Sequence, residues 1–303
     1  MKIYQWSDIH LEFGPVDDPF PTGDVLILAG DITLTNAFDM DSPTFHHRAD
    51  LRDRTIAFLD RCKASFGRVF YIEGNHEPYD HDINRSTDVI RRQFKQAKLL
   101  RDAAFDLGDN TILVGGTLWT DMNGGKDHGV IGKPEGSFRQ AAMNDFNIIT
   151  VERKGVRRTF TTHDAVRRFG RTLEKIEAVA VANPDKTIVV ATHHAPSIKG
   201  ISPEHVNSRY NAGYYTDLHA FIDAHRNILW WTHGHTHLQK AYKVHQCQVI
   251  SNARGYIGRE HSAETFSLDC WFDPVTGKKH IPKPRAAPID DDLAFTLKAA
   301  GIF

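Results

Sequence analysis

The chain has 303 residues, 41% hydrophobic and 25% charged, which suits a protein able to bury a full core. A formal net charge of −1 and an isoelectric point of about 7.0 speak against a general nucleic-acid binder and, more weakly, against any polymeric substrate. No run approaches the roughly 18 apolar residues of a membrane span, and "MKIYQWSDIH" lacks the apolar core of a targeting segment. Cys62, Cys247 and Cys270 are odd in number, far apart and free of any CxxC pair, so they read as reduced thiols of a cytoplasmic protein.

In chain order, "KIYQW" is a short apolar run closing at Ser7, and "DVLILAG" ends before Asp31. Leu51, Thr55, Leu59, Cys62 and Phe66 recur at helical spacing over 47–66, with Gly67 placed to cap. "RVFYIEG" ends before Asn75. Ser86 or Thr87 then opens a helix over 86–104 that presents Ile90, Phe94, Ala97 and Leu100. "TILVGGTLW" ends before Thr120. The segment 120–160, with "DMNGGKDHGVIGKPEGSF", is glycine-rich and aperiodic, and reads as a long excursion outside the core.

A third helix opens after Thr162 and carries Val166, Phe169, Leu173, Ile176 and Ala180 until Asn183 and Pro184 stop it. "TIVVAT" precedes His193, a shorter helix holds Leu218, Phe221, Ile222 and His225, and "NILWWTHG" precedes His235. Past residue 280, "IPKPRAAPIDDDLAF" mixes prolines with an acidic run. Residues 281–303 therefore read as a surface tail closed by a short helix. Short β-branched runs alternating with helices predict an α/β architecture, and nothing divides 1–280 into more than a single domain.

Polar residues with ligating side chains gather behind these runs. Asp8 and His10 follow the first, Asp31 the second, Asn75 and His76 the third, His193 the fifth, and His235 and His237 the sixth. Functional crevices of α/β sheets lie at the carboxyl ends of their strands. Carboxylate, carboxamide and imidazole donors form a mixed oxygen and nitrogen shell suited to manganese, iron or zinc. Eight candidates exceed the need of one ion and match two, with an Asp able to bridge.

The motifs "DIH" (8–10), "GD" (30–31), "GNHE" (74–77), "HH" (193–194) and "GHTH" (234–237), in this order, resemble the signature of the calcineurin-like metallophosphoesterase superfamily. The resemblance spans residues 8–237. It implies two stacked mixed β-sheets flanked by helices, with two divalent metal ions at one edge. It also implies one ion on Asp8, His10, Asp31 and His237 and another on Asp31, Asn75, His193 and His235, Asp31 bridging. His76 would stand outside the metal shell, close to the leaving oxygen, and the expectation is that its protonated form donates to that oxygen or to a phosphoryl oxygen.

The implied reaction is phosphoester hydrolysis by a metal-bridging hydroxide, with manganese as the working ion and small phosphodiesters or nucleotides as substrates. No GxSxG elbow, Walker loop or GxGxxG offers another chemistry. Leu34 stands where protein phosphatases of this type carry the second Asp of GDxxDRG, which argues against that subfamily. A nuclease and a non-catalytic scaffold of the same fold are the alternatives.

Spacing and position add further expectations. His235 and His237, two apart, point the same way in an extended segment, whereas His194 should point opposite to His193. His233 reads as a packing residue behind the ligands. His194, Arg209, Tyr210, Arg254 and Tyr256 are the candidates for touching substrate. Arg153, Lys154, Arg157, Arg158, Arg167, Arg168 and Arg171 read as a solvated basic face.

Overall fold

A computed structural model describes residues 1–133 and 140–282. The first part of the chain builds β1 (Ile3–Trp6), β2 (Gly23–Ala29), α1 (Ala49–Ser65), β3 (Phe66–Ile72), α2 (Ile83–Gln93) and β4 (Lys98–Leu99). It continues through β5 (Ala103–Gly108), β6 (Thr111–Gly116), α3 (His128–Ile131), α4 (Asp145–Ile148), β7 (Thr150–Arg153), β8 (Val156–Thr159) and α5 (Thr162–Ala182). The remainder holds β9 (Thr187–Thr192), α6 (His219–Ala224), β10 (Ile228–His233), β11 (Gln239–Val244), β12 (Cys247–Asn252), α7 (His261–Thr265), β13 (Trp271–Phe272) and β14 (Lys279–His280).

Two six-stranded mixed sheets result, ordered β14-β13-β1-β2-β3-β4 and β11-β12-β10-β9-β6-β5. Their centres are parallel, β1 with β2 and β3 in one sheet and β6, β9, β10 and β12 in the other. Antiparallel β13 and β14 and parallel β4 complete the first sheet, and antiparallel β5 and β11 form the edges of the second. The near-continuous apolar runs of the central strands fit this, because a parallel strand is covered on both faces. Side-chain alternation does the sorting in β2. Val25, Ile27 and Ala29 face Val189, Ala191 and Trp230 of the other sheet, while Leu26 and Leu28 pack on Phe58, Leu59 and Cys62 of α1. On the far side, α5 lays Ile176, Val179 and Ala180 on Val190 and Trp231. The arrangement is a sandwich of two sheets flanked by helices, as the motifs implied, and it brings the carboxyl ends of β1, β2, β3, β9 and β10 to one edge.

Three expectations need correction. The helix expected over 86–104 starts earlier and stops sooner. Asp82 caps α2 by accepting the Asn84 and Arg85 amides, and the hydroxyls of Ser86 and Thr87 turn to the buried Glu73 carboxylate. Lys98 and Leu99 instead pair with Phe70 and Tyr71 as a strand, so backbone pairing overrides the helical spacing of Ala97 and Leu100. Gly67 caps nothing, since it lies inside β3. The aperiodic 120–160 segment is packed: Met122, Ile131, Phe146, Ile149 and Phe160 bury against Trp119, and β7 and β8 form a hairpin. Its apolar residues are spaced irregularly, so a cluster formed by loops left no period to read. The tail and its expected helix lie outside the described residues from 283 onward. Among the described residues, no helix is long and apolar enough to cross a membrane.

Candidate metal centre

Five strand ends present the donors: Asp8 beyond β1, Asp31 beyond β2, Asn75 beyond β3, His193 beyond β9 and His235 beyond β10. Each loop must turn its side chain back over the sheet edge, and the backbone shows how. Asp8, His10, Asp31, His235 and His237 all take positive φ, at 52°, 48°, 55°, 67° and 50°. Asp and His enter this region more readily than most residues, yet each instance costs about 1–3 kcal/mol. Five instances at one edge mark a place where the fold holds strained backbone in order to aim side chains. Two glycines make room. A Cβ on Gly74 would overlap the Asp31 carboxylate, and one on Gly234 would stand 2.6 Å from Asp8 Oδ2.

Three overlapping groups have ligating atoms within 4.8 Å of one another: Asp8 with His10 and His237, Asp31 with His193 and His235, and, between them, His10 and Asp31 with His76. His10 Nε2 is 3.2 Å from His237 Nε2, and His237 Nε2 is 3.4 Å from Asp8 Oδ1. In the second group His193 Nε2 stands 3.2 Å from Asp31 Oδ2 and 2.8 Å from Asn75 Oδ1. Asp31 Oδ2 is also 3.9 Å from His10 Nε2, so this carboxylate reaches both groups.

The tautomers decide whether this set fits a cation. His10 Nδ1 donates to Glu12 Oε1 at 2.9 Å, His237 Nδ1 to Glu260 Oε2 at 2.6 Å and His193 Nδ1 to the Ala29 carbonyl at 2.8 Å. Each bond engages the Nδ1 proton, so Nε2 is the nitrogen that can give up its own proton to a metal. The Nε2 atoms of His10 and His237 converge, and that of His193 meets two oxygens. His235 Nε2 is buried with no hydrogen-bond partner among the described residues. A buried set of carboxylate, carboxamide and imidazole donors aimed at one another calls for positive charge between them, so the residues fit divalent metal.

The titration behaviour follows from the same crowding. Burial lowers the pKa of His193, but the Asp31 charge outweighs it and holds the value near 9. Burial acts likewise on His237, and Glu260 with Asp8 raises it well above the usual imidazole range. Asp8 sits at about 2 because His237 overcomes the upward push of burial. Asp31 is held well below the carboxylate range by His193 and His76, again against burial.

The sequence reading missed the supports. Glu12 and Glu260 orient the two imidazoles of the first group. Glu77 accepts the amides of Asp31, Ile32 and Gly74 and the Tyr71 hydroxyl at 2.7–3.0 Å, tying the Asp31 and Asn75 loops together. Burial, then the Asp31 charge, lifts its pKa to about 8. Glu12 and Glu77 were within reach of the motifs, being the next residues but one after His10 and Asn75. Glu260 carries no local signal.

His76 lies at the rim. Its ring stacks on Tyr79 at 4.0 Å, its Nε2 is 3.3 Å from the Tyr256 hydroxyl and its Nδ1 is 4.0 Å from Glu12. Burial lowers its pKa to about 3. Tyr256 also packs 4.6 Å from His10 and 4.7 Å from His237.

The other candidates divide. His194 does not point away. Its ring lies 4.2 Å from that of His235 and 5.2 Å from Trp119, because the chain leaves β9 at His193 and the alternation ends there. Arg254 is buried, and its guanidinium donates to the carbonyls of Ile9, Gly14 and Pro15, so it tethers the Asp8–His10 loop instead of facing substrate. Arg209 and Tyr210 bond to each other and make no hydrogen bond, ion pair or ring contact with a ligand group; Tyr214, stacked 4.9 Å over His235, does. His233 packs as expected, between the Gly234 carbonyl and the Tyr242 hydroxyl.

A two-sheet sandwich with an Asp, Asn and His cluster at its strand ends defines a class, the metal-dependent phosphoesterases. Residues 1–239 match the calcineurin-like phosphoesterase family, and the chain belongs to it. Among solved structures, a phosphopantetheinyl hydrolase from Mycobacterium tuberculosis is similar, with a TM-score of 0.58 and 15% identity over 95% of this chain and 98% of that one. A dimetal phosphatase from Danio rerio aligns at a TM-score of 0.44 and 13% identity over 86% of this chain and 89% of that one. At such identities the likeness concerns the fold. No curated protein matches the chain.

Proposed function

We propose that this phosphoesterase cleaves small phosphodiesters or nucleotides at a centre of two divalent ions, with manganese the working metal and iron or zinc the other ions its donors suit. The observation that carries the reading is the Asp31 carboxylate, whose Oδ2 is 3.2 Å from His193 Nε2 and 3.9 Å from His10 Nε2. Asp8, His10, Asp31 and His237 would hold one ion, and Asp31, Asn75, His193 and His235 the other. Bound there, two such ions supply Lewis acidity and a water nucleophile active near neutral pH.

The chain's own groups do the rest. Glu12, Glu260 and the Ala29 carbonyl fix imidazole tautomers, and Glu77 holds two ligand loops in register. His76 is placed by Tyr79 and Tyr256 to donate a hydrogen bond to a phosphoryl or leaving oxygen, and the negative charge of a bound phosphoryl group would raise its pKa. His194 supports His235 from behind. A net charge of −1 favours a small substrate over a polymer. Three buried, unpaired cysteines accord with work in the cytoplasm.

The test is hydrolysis of a panel of chromogenic monoesters and diesters, nucleotides and single-stranded DNA after reconstitution with Mn²⁺. Activity on small esters with mild salt dependence is expected. Activity on DNA exceeding that on small diesters, with affinity falling by about three decades or more between 50 and 200 mM salt, would establish a nuclease instead. No hydrolysis of any substrate by the loaded protein would leave a scaffold.

A further inference from the structure

The basic run is solvent-exposed, as expected of a solvated face, with Arg168 alone half-buried, but five of its arginines converge on one groove. Arg153 at the end of β7, Arg158 of β8 and Arg167, Arg168 and Arg171 of α5 line one cavity of about 500 Å³ beside the start of α2. Only Glu152 and Asp164 oppose them there, so the walls hold five guanidiniums against two carboxylates. That is a local surplus of three positive charges in a chain of net charge −1.

Pairing does not account for the surplus. Asp164 is occupied by Arg158 and Arg167, and Glu152 lies 3.9 Å from Arg157. Arg153, Arg168 and Arg171 form no ion pair among the described residues. Arg168 is the informative one. Its Nη2 donates to Asn84 Oδ1 at 3.1 Å and its guanidinium sits 5.9 Å from the Phe160 ring centre, so packing holds it in place. Burial, and next the charge of nearby Arg101, pull its pKa down to about 10. Around this one held, half-buried guanidinium stand four exposed arginines; like charges gathered in this way repel, and a bound anion relieves that cost.

We infer that this cavity is a second binding site, separate from the metal centre, for a small molecule bearing two or more adjacent phosphate groups. Planar guanidinium forks match phosphate oxygens two at a time, which a diffuse lysine patch does not. The volume lies in the range of small-molecule pockets, and the surplus charge suits a diphosphate or triphosphate group. None of the lining residues belongs to the proposed ligand set, and the inference does not depend on the substrate of that centre.

The experiment is calorimetric titration of the metal-loaded full chain with methylenediphosphonate, an analogue of pyrophosphate whose P–C–P link resists hydrolysis. Two binding events are expected, one at the metals and one in the cavity. In the Arg153→Glu/Arg171→Glu variant, the cavity event should weaken by about 100-fold, tenfold for each guanidinium lost, with the metal event and p-nitrophenyl ester hydrolysis unchanged. Both side chains are exposed and bond to nothing described, so folding should survive; Arg171→Gln alone, expected to weaken the event about tenfold, serves if it does not. A single event in the unsubstituted protein, or two events of undiminished affinity in the variant, would overturn the site. Equal affinity for citrate would overturn its phosphate chemistry, and tighter binding of single-stranded DNA through the same arginines would replace the small molecule with a nucleic acid.

Discussion

Removing Glu260 should separate the two halves of the proposed metal centre. Its Oε2 accepts His237 Nδ1 at 2.6 Å, the Tyr256 amide at 3.1 Å and the Ser262 hydroxyl at 3.4 Å, and among the described residues no other carboxylate contacts that imidazole nitrogen. The first of these is short and charge-assisted, a type of bond worth about 1.5–3 kcal/mol. Loss of such a support typically costs a metal site about 10- to 100-fold in affinity, which is about 1.4–2.7 kcal/mol. The two figures agree. Glu260→Ala should therefore weaken by 10- to 100-fold the ion on Asp8, His10 and His237, and leave the ion on Asp31, Asn75, His193 and His235 nearly unchanged. Glu260→Gln keeps an oxygen acceptor without the charge and should fall between the two. Competition against a chromophoric chelator, with plasma mass spectrometry counting ions per chain, reads both affinities. Equal weakening at both positions, or no weakening at either, with the thermal midpoint retained, would refute the division of labour assigned to Glu260.

Asp31→Ala should lower occupancy of both ions, whereas His237→Ala should weaken mainly one; two ions per chain remaining in the Asp31 variant would remove its bridging role. His76→Asn should keep both metals and lose about 10²- to 10⁴-fold in rate on alkyl esters, with a much smaller loss on p-nitrophenyl esters, whose phenolate leaves without a proton. Equal losses on both would make His76 a positioning or charge-stabilising group, and loss of an ion would place it in the coordination shell. Asp164 completes the capping box of α5 with Thr161 and pairs with Arg158 and Arg167; the bonds from Arg158 and Thr161 hold its pKa at about 2 against burial, below the ordinary 3.8. A lowered carboxylate stabilises fully above its unfolded pKa and loses that contribution as pH falls through the folded one. The shift corresponds to about 2.4 kcal/mol, reduced to about 1–2 because both arginines are substantially exposed. Asp164→Asn should cost that much in denaturant unfolding at pH 7, and the gap should narrow below pH 4 and close near pH 2; a gap that persists at pH 2 would assign the loss to packing.

The strand ends and the polar residues gathered at them were legible because both depend on short-range pattern. A β-branched run of four to seven residues declares a buried parallel strand, and the residues after it must lie at the sheet edge whatever the register. Asp8, Asp31, Asn75, His193 and His235 were placed on that ground alone, and the order of motifs named the chemistry. Tertiary structure decided what no local window contains. Glu260 reaches His237 because the loop after β12 folds over the same edge, an approach set by sheet order and not by spacing. Arg254, equally near in sequence, was drawn to the carbonyls of a loop some 240 residues away and so left the substrate face. Ala97 and Leu100 kept a helical period, yet the open edge of β3 offered Lys98 and Leu99 backbone hydrogen bonds, and pairing that edge outweighs a weak helical preference. The arginines of β7, β8 and α5 look like a dispersed face when read linearly. They become a cavity only when the hairpin folds against the helix, because charge density is a property of volume and the sequence records it along a line.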